Sequence, residues 1–407
     1  MPDGELPPAF VLSSHLAAMG TVRCLGVAGI PVVNVHYADS DFAHVSRHVR
    51  HRIRSAHPEH DEDAFVETLV EAAGRHGRGL LVPANDATLG VVSRRKAELE
   101  RHHVVAAADW SIVERVIDKR HTYELAHRIG VPAPRTETPS TRADAERIAA
   151  TFLFPCLVKP RVSHVYAELF RAKLARVHDP AELLREYDRA ADAGIEVMIQ
   201  EFIPGDDRQS YNYDAYRSHG QSIEYTAQKL RLAPPEFGLP RVVVSRHAPH
   251  LLEPARQLLD ALGYTGYSCT EFKVDPRDGV AKLMEVNARV NRSVLHPLAS
   301  GINFPAILYR DLMLGEPPGT VRAKPGRAYW IDLAGDIRYS IRGWRSEGLS
   351  WRDYLRPYAG RKVFAVGDGF DMMPFLKRSF GTVATRWRRI RGRVARTGGA
   401  GEGDAVG

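Results

Sequence analysis

Cysteine is scarce in this chain. Cys24, Cys156 and Cys269 are odd in number and far apart. That argues against a disulfide framework or a zinc site and for a reducing cytosol. Long apolar runs are missing too: none would span a bilayer, and no basic-then-apolar leader opens the chain. No internal repeat is evident. The histidines are scattered, and His44, His48 and His51 stand among arginines, where a solvated face is expected rather than a metal site. What is present, 407 residues with 44% hydrophobic content, suffices for substantial cores in two or three domains.

The richest stretch is Glu285-Val-Asn-Ala-Arg-Val-Asn-Arg292. On a strand, alternate side chains share a face, so Glu285, Asn287 and Arg289 are expected to point into one site. A carboxylate and an amide oxygen suit a hard divalent cation such as Mg²⁺. Arg289, and Arg292 beyond it, bring planar cationic forks matched to phosphate or carboxylate. Upstream, Tyr267–Val274 alternates polar and apolar residues, and Asp275-Pro-Arg-Asp-Gly279 reads as a turn. The two runs form an expected antiparallel hairpin. Counting back from the turn sets Glu271 opposite about Leu283, with Glu285 its diagonal neighbour on the same face. Two carboxylates so close call for a cation between them.

These residues resemble the ATP-grasp superfamily. Glu271 followed by Glu285-x-Asn287-x-Arg289 looks like its metal-binding signature, and the run through Arg292 to Gly301 is similar to carbamoyl phosphate synthetase large subunits. The resemblance implies ATP and Mg²⁺ (two ions, or Mn²⁺) as cofactors, with Glu271, Glu285 and Asn287 as metal ligands. Asp118-Lys119 looks like the first nucleotide-contacting lysine, and Leu157-Val-Lys-Pro160 like the strand whose Lys159 reaches the phosphates. Val197–Gly205 is similar to the adenine-holding hinge, implying Gln200, Glu201, Phe202 and Ile203 as nucleotide contacts and Asp207 as a ribose-binding acid. Gln228-Lys229 before Ala233-Pro-Pro235 resembles a biotin-carboxylase segment whose lysine assists phosphate and carboxylate chemistry. The likeness runs in order over residues 115–316. One departure is plain: many relatives cover the phosphates with a glycine-rich loop after this lysine, whereas Arg161–Phe170 has no glycine. Arg161, Ser163, His164 or Lys173 are the expected substitutes, and Lys173 is counted among the ATP contacts.

The expected fold class is an α/β N-terminal domain followed by an α+β ATP-grasp fold, two lobes gripping the nucleotide, and a C-terminal extension. Residues 1–115 read as βαβα. Short apolar strands lie at Ala9–Leu12, Pro31–Val35 and Gly79–Pro83, with helices near Ser14–Ala28, Asp61–Gly74 and Asp86–Glu98. Pro83-Ala-Asn-Asp86 lies where an open α/β sheet binds ligands, yet Asp86 itself reads as a helix N-cap. Residues 116–318 make the ATP-grasp domain, with a smaller lobe at about 130–200 and a boundary at Gly315–Pro318. Residues 319–407 remain, with a strand at Tyr329–Leu333 and a turn at Val366–Gly369.

The tail carries much of the net charge of +7. Lys377, Arg378, Arg386, Arg388, Arg389, Arg391, Arg393 and Arg396 occur without an acid among them, while Leu376, Phe380, Val383, Trp387, Ile390 and Val394 recur at helical spacing. Such a helix suits an anionic membrane surface or polyanion, its own enzyme, or an acidic partner, and a frayed basic tail is the alternative. Nucleic acid is not expected, because no fold motif supports it. A cytoplasmic, membrane-peripheral location and self-association are compatible with these features.

The activity the resemblance implies is ATP-dependent joining of a carboxylate to an amine through an acyl phosphate, releasing ADP and phosphate. Arg289, Arg292 and Lys229 are its expected catalytic groups. Bicarbonate activation of the carboxylase or carbamoyl-phosphate type, a nucleotide-binding protein without turnover, and a membrane-surface adaptor acting through the tail are the alternatives.

Overall fold

The structure, a computed structural model, describes residues 6–160, 166, 169–170, 174–344 and 348–379. Three sheets organise them. The first is parallel, in the order Val49–Arg54, Val32–His36, Ala9–Leu12, Leu80–Pro83, Val104–Val105. Its central strands are apolar and buried along their whole length, as a sheet covered on both faces requires. Asp61 caps Glu62–His76 by accepting from the Ala64 N–H. The expected helix from Asp86 breaks into Asp86–Arg94 and Lys96–Leu99. Its cap is Asn85, whose side chain accepts from the Thr88 N–H at 2.9 Å, so the cap assignment of Asp86 is corrected.

A second, antiparallel sheet takes the order Thr136–Glu137, Val197–Glu201, Cys156–Pro160, Ala175–Val177. Two helices, Arg142–Thr151 and Pro180–Asp192, pack Ile148, Ala149, Leu183 and Ala190 against Cys156, Val158, Val197 and Ile199. Both helices start cleanly. Thr141 and Asp144 form a reciprocal capping box, and Asp179 caps the other before Pro180.

The third sheet has seven strands: Ala281–Asn287, Gly266–Val274, Ser210–Ser218, Gln221–Ala233, Leu239–Ser245, Ala328–Ile331 and Arg361–Phe364. The hairpin expected at its edge forms, with one correction of register. Glu271 pairs directly with Glu285, and Phe272 with Leu283, because a bulge leaves Met284 unmatched. Beyond the loop after the Phe304–Leu314 helix, the chain returns to this sheet. Ala328–Ile331 joins it antiparallel to Leu239–Ser245, and Arg361–Phe364 lies parallel beside it. The expected strand thus starts one residue earlier and ends two earlier, since Leu333 opens a helix.

The described end of the tail lies on its own protein. Lys377 reaches His44 Nε2 at 2.7 Å, and Arg378 grips Asp332. Residues 380–396 of the basic stripe lie outside the described residues. His44 is accordingly no part of a solvated face: it is buried, contacts Ser14 Oγ through Nδ1 at 3.2 Å, and is pushed down to about 4 by burial. No helix among the described residues is long and apolar enough to cross a membrane.

Candidate active site

The Met284 bulge decides the geometry. By skipping one residue it brings Glu271 and Glu285 face to face instead of diagonally. Neither carboxylate stands alone. Lys229 is buried and reaches across the intervening Ser210–Ser218 strand to donate to Glu271. Lys119, first residue of the Lys119–Arg128 helix, sets its ammonium 3.4 Å from Glu285. Attraction to Glu285 pushes Lys119 well above the ordinary lysine value. Burial pushes the Glu285 carboxyl up, but Lys119, aided by Arg289 and Lys159, brings it below its ordinary value.

Lys159 comes from the second sheet and meets this group from the opposite side. Its Nζ donates to Gln200 Oε1 at 2.6 Å, and Gln200 Nε2 donates in turn to Thr136 Oγ1 at 2.9 Å. Burial, then the charge of Lys119, pulls Lys159 down to about 7 against the pull of Glu285. Asn287 is buried at the end of its strand. Arg289 lies past that strand end, so the expected alternation of faces does not extend to it. Its fork closes on Asp86 instead, Nε to Oδ1 at 2.7 Å and Nη2 to Oδ2 at 3.1 Å.

The structure therefore gathers Glu271, Glu285, Asn287, Lys119, Lys159, Lys229 and Arg289, and adds Asp86 from the first sheet. It does not bring Arg292 into the same ring. Arg292 donates to Asp332 at 3.1 Å and shares that buried carboxylate with Arg378, and burial lowers its guanidinium to about 10. In the sequence Arg378 counts only as part of the basic tail and Asp332 only as part of a strand, since their partners are distant in the chain. Beneath the ring, Asp214 is buried, accepting from Tyr267 at 2.5 Å and Asn291 at 2.7 Å, and burial raises it to about 7.

Along the expected hinge, Gln200 is fully buried and holds Lys159. Glu201 pairs with Arg277 and with Lys282 at 3.4 Å. Phe202 lies under the Arg176 guanidinium at 4.3 Å, and the Ile203 carbonyl accepts from Lys273 at 2.9 Å. Asp207 spends both oxygens on backbone amides, Leu232 at 2.6 Å and Glu236 at 2.8 Å. It fixes the turn beside the hinge, and a ribose would have to compete with those amides. Lys173, Arg161, Ser163 and His164 lie outside the described residues.

The oxygen set fits a hard divalent ion. Two carboxylates oppose each other beside an amide, and each now uses a lysine as counter-charge. No group of three or more His, Cys, Asp or Glu side chains poised for a metal occurs among the described residues. A cation here would therefore need phosphate and water to complete its shell, which is how Mg²⁺ is usually held.

Comparison with known proteins agrees with this fold. The family model for the carbamoyl-phosphate synthase L chain, ATP binding domain, matches residues 233–314. A D-aspartate ligase of Enterococcus faecium is 27% identical over 282 residues, 64% of this chain and 66% of the relative, just short of two thirds of its length. Among solved structures, an L-amino acid ligase from Bacillus licheniformis superposes with a TM-score of 0.60 at 17% identity, over 76% of this chain and 74% of that one. An ATP complex of biotin carboxylase from Campylobacter jejuni gives 0.63 at 16% identity, over 78% and 74%.

Proposed function

We infer that this chain, an ATP-grasp protein by fold and by sequence, joins a carboxylate to an amine with ATP, through an acyl phosphate. The observation that carries this is the ring itself: two facing carboxylates enclosed by three lysines and Arg289 from three different sheets or their flanking helices. The substrate carboxylate attacks the γ-phosphorus, forming one P–O bond as the β–γ bridge breaks and ADP leaves. The amine then attacks the acyl carbon, loses a proton, and phosphate departs. A divalent ion on Glu271, Glu285 and Asn287 would neutralise charge on the phosphate oxygens. Lys159 would hold those oxygens from the smaller sheet, and Lys119 from the helix packed on the Ala281–Asn287 strand. Lys229 does so from the large sheet, and Arg289 presents a fork to the acyl phosphate. Such preorganised positive charge is worth most where negative charge gathers in the transition state.

The test is a mass balance. Mg-ATP with pools of carboxylates and amines should yield ADP and phosphate only when acid and amine are both present. AMP and pyrophosphate would overturn the acyl-phosphate route. Glu285→Gln should fold normally and lose about 100-fold or more in turnover, and full activity would remove the metal assignment. The family match to a carbamoyl-phosphate synthase domain and the likeness to biotin carboxylase favour one second reading, bicarbonate as the activated acid. ADP release with bicarbonate alone would select it.

A further inference from the structure

Two helices beyond the large sheet's sixth strand share a pattern that the ATP site does not use. Leu333–Gly343 carries Ile337-Arg338 and, one turn on, Ile341-Arg342. Trp351–Ala359 repeats it with Trp351-Arg352 and Leu355-Arg356. Residues four apart share a helix face, so each helix bears an apolar stripe beside an arginine stripe. The opposite side of the first helix is fixed to the protein. Asp336 is fully buried against Arg231, Arg241 and Tyr358, and Ser340 accepts from Arg241 at 2.7 Å. Trp344 follows Ile337 by seven residues with helical backbone, on the same stripe. Its ring lies 4.4 Å from that of Trp351. The apolar line therefore runs on from one helix to the other.

We propose that this line and its flanking arginines lie on an anionic lipid bilayer. Single exposed apolar residues are ordinary on a protein surface, but these are large and contiguous. Ile341 is 77% exposed, Trp351 69%, Leu355 53% and Ile337 42%. Burial at the acyl boundary would take that surface out of water. Arg338, Arg342, Arg352 and Arg356 are exposed as well, and none pairs with an acid among the described residues. Asp353, the exposed acid of these two helices, accepts from Ser350 Oγ at 2.7 Å instead. Apolar bulk with an unneutralised cationic margin suits the interface of anionic lipids, where tryptophan favours headgroup depth. A soluble polyanion would satisfy the arginines and leave Ile341 in water. A second copy, or the basic segment after Lys377, would set arginine against arginine. The helices have 11 and 9 residues, too few to span a bilayer, so the contact is peripheral.

Cys24, Cys156 and Cys269 are all buried, so Ile341→Cys in the full chain offers one accessible thiol for an environment-sensitive fluorophore. The labelled chain would be mixed with vesicles of phosphatidylcholine alone or with added phosphatidylserine, and bound protein measured by co-sedimentation. Emission should brighten and shift to the blue on the anionic vesicles only. It should return toward the free value in about 1 M NaCl, where the Debye length falls to about 3 Å. Changing Arg338 and Arg342 together to Gln should weaken binding about 30-fold, because each arginine near such a surface is worth about five-fold. Protein that sediments with its label unchanged is held by another surface, and that result overturns the proposal. No binding, or equal binding to both kinds of vesicle, does so as well. A label response to polyphosphate equal to that on vesicles assigns the arginines to a soluble polyanion instead. A response that grows with protein concentration in the absence of lipid assigns the stripe to a second copy.

Discussion

Lys159 shows how much of this site is chemistry set by neighbours. The side chain is buried, hydrogen-bonded to Gln200 and repelled by Lys119, and it sits at about 7. Ammonium and amine forms therefore coexist near neutral pH. Phosphate oxygens stabilise the ammonium, so nucleotide binding must take up a proton. Affinity is then highest below pH 7 and falls as pH climbs above it, by up to about ten-fold per unit until the bound-state value is reached. Calorimetry in Tris and HEPES should show uptake of about half a proton at pH 7, approaching one at pH 8. Lys159→Met should abolish this uptake, and uptake unchanged in the variant would rule Lys159 out as its source. The lysine was legible in Leu157-Val-Lys-Pro160, because an apolar strand with one polar end advertises it. Its shifted titration was not, since Gln200 and Lys119 arrive from 41 and 40 residues away on other elements. Asp86 was legible as a position and mistaken in role: a helix start explains an Asp or Asn equally well, and only the coordinates give the cap to Asn85.

Among the elements, the hairpin that carries the carboxylates matters most. Its strands and turn were readable from alternation and from Asp275–Gly279, but its register was not. Local pattern counts residues one for one, whereas a bulge is fixed by what the extra residue finds to bond with. Here the Met284 carbonyl accepts from Tyr123 Oη at 2.6 Å, a contact 161 residues apart in sequence. Tyr123 lies on the helix that Lys119 opens, so one hydrogen bond ties the bulge that aligns Glu285 to the helix that supplies its counter-charge. Tyr123→Phe takes this donor from a half-buried carbonyl and should cost about 1 kcal/mol. Lys119 would loosen from Glu285, and ADP release should fall with it. Thermal unfolding and initial rates measure the two effects. A variant as stable and as active as the natural chain would show that the bulge holds itself.

Over the whole molecule, the part hardest to foresee is what happens beyond Pro318. The sequence marks a boundary there, and a loop does follow the Phe304–Leu314 helix, but strand pairing between residues as far apart as Val242 and Ile331 leaves no local trace. The returning chain completes the large sheet and then reaches the first one. Arg23, buried on the Leu16–Val27 helix, donates to Asp371 at 3.2 Å, to the Phe364 carbonyl at 3.1 Å and to the Val366 carbonyl. Asp371 also accepts from Ser46 Oγ at 2.7 Å and from the Arg47 N–H at 3.0 Å. Among the described residues, Asp371→Ala removes the one carboxylate that Arg23 contacts, leaving a buried guanidinium to carbonyl partners, and a loss of about 3–5 kcal/mol is expected. Because the molecule has several sheets, the loss should appear first as local release of the C-terminal segment. Limited proteolysis should cut near residue 371 well below the main calorimetric transition, while proton uptake at Lys159 on nucleotide binding persists. If cleavage and the transition stay together and neither moves, the Arg23–Asp371 pair does not fasten the C-terminal segment to the first sheet.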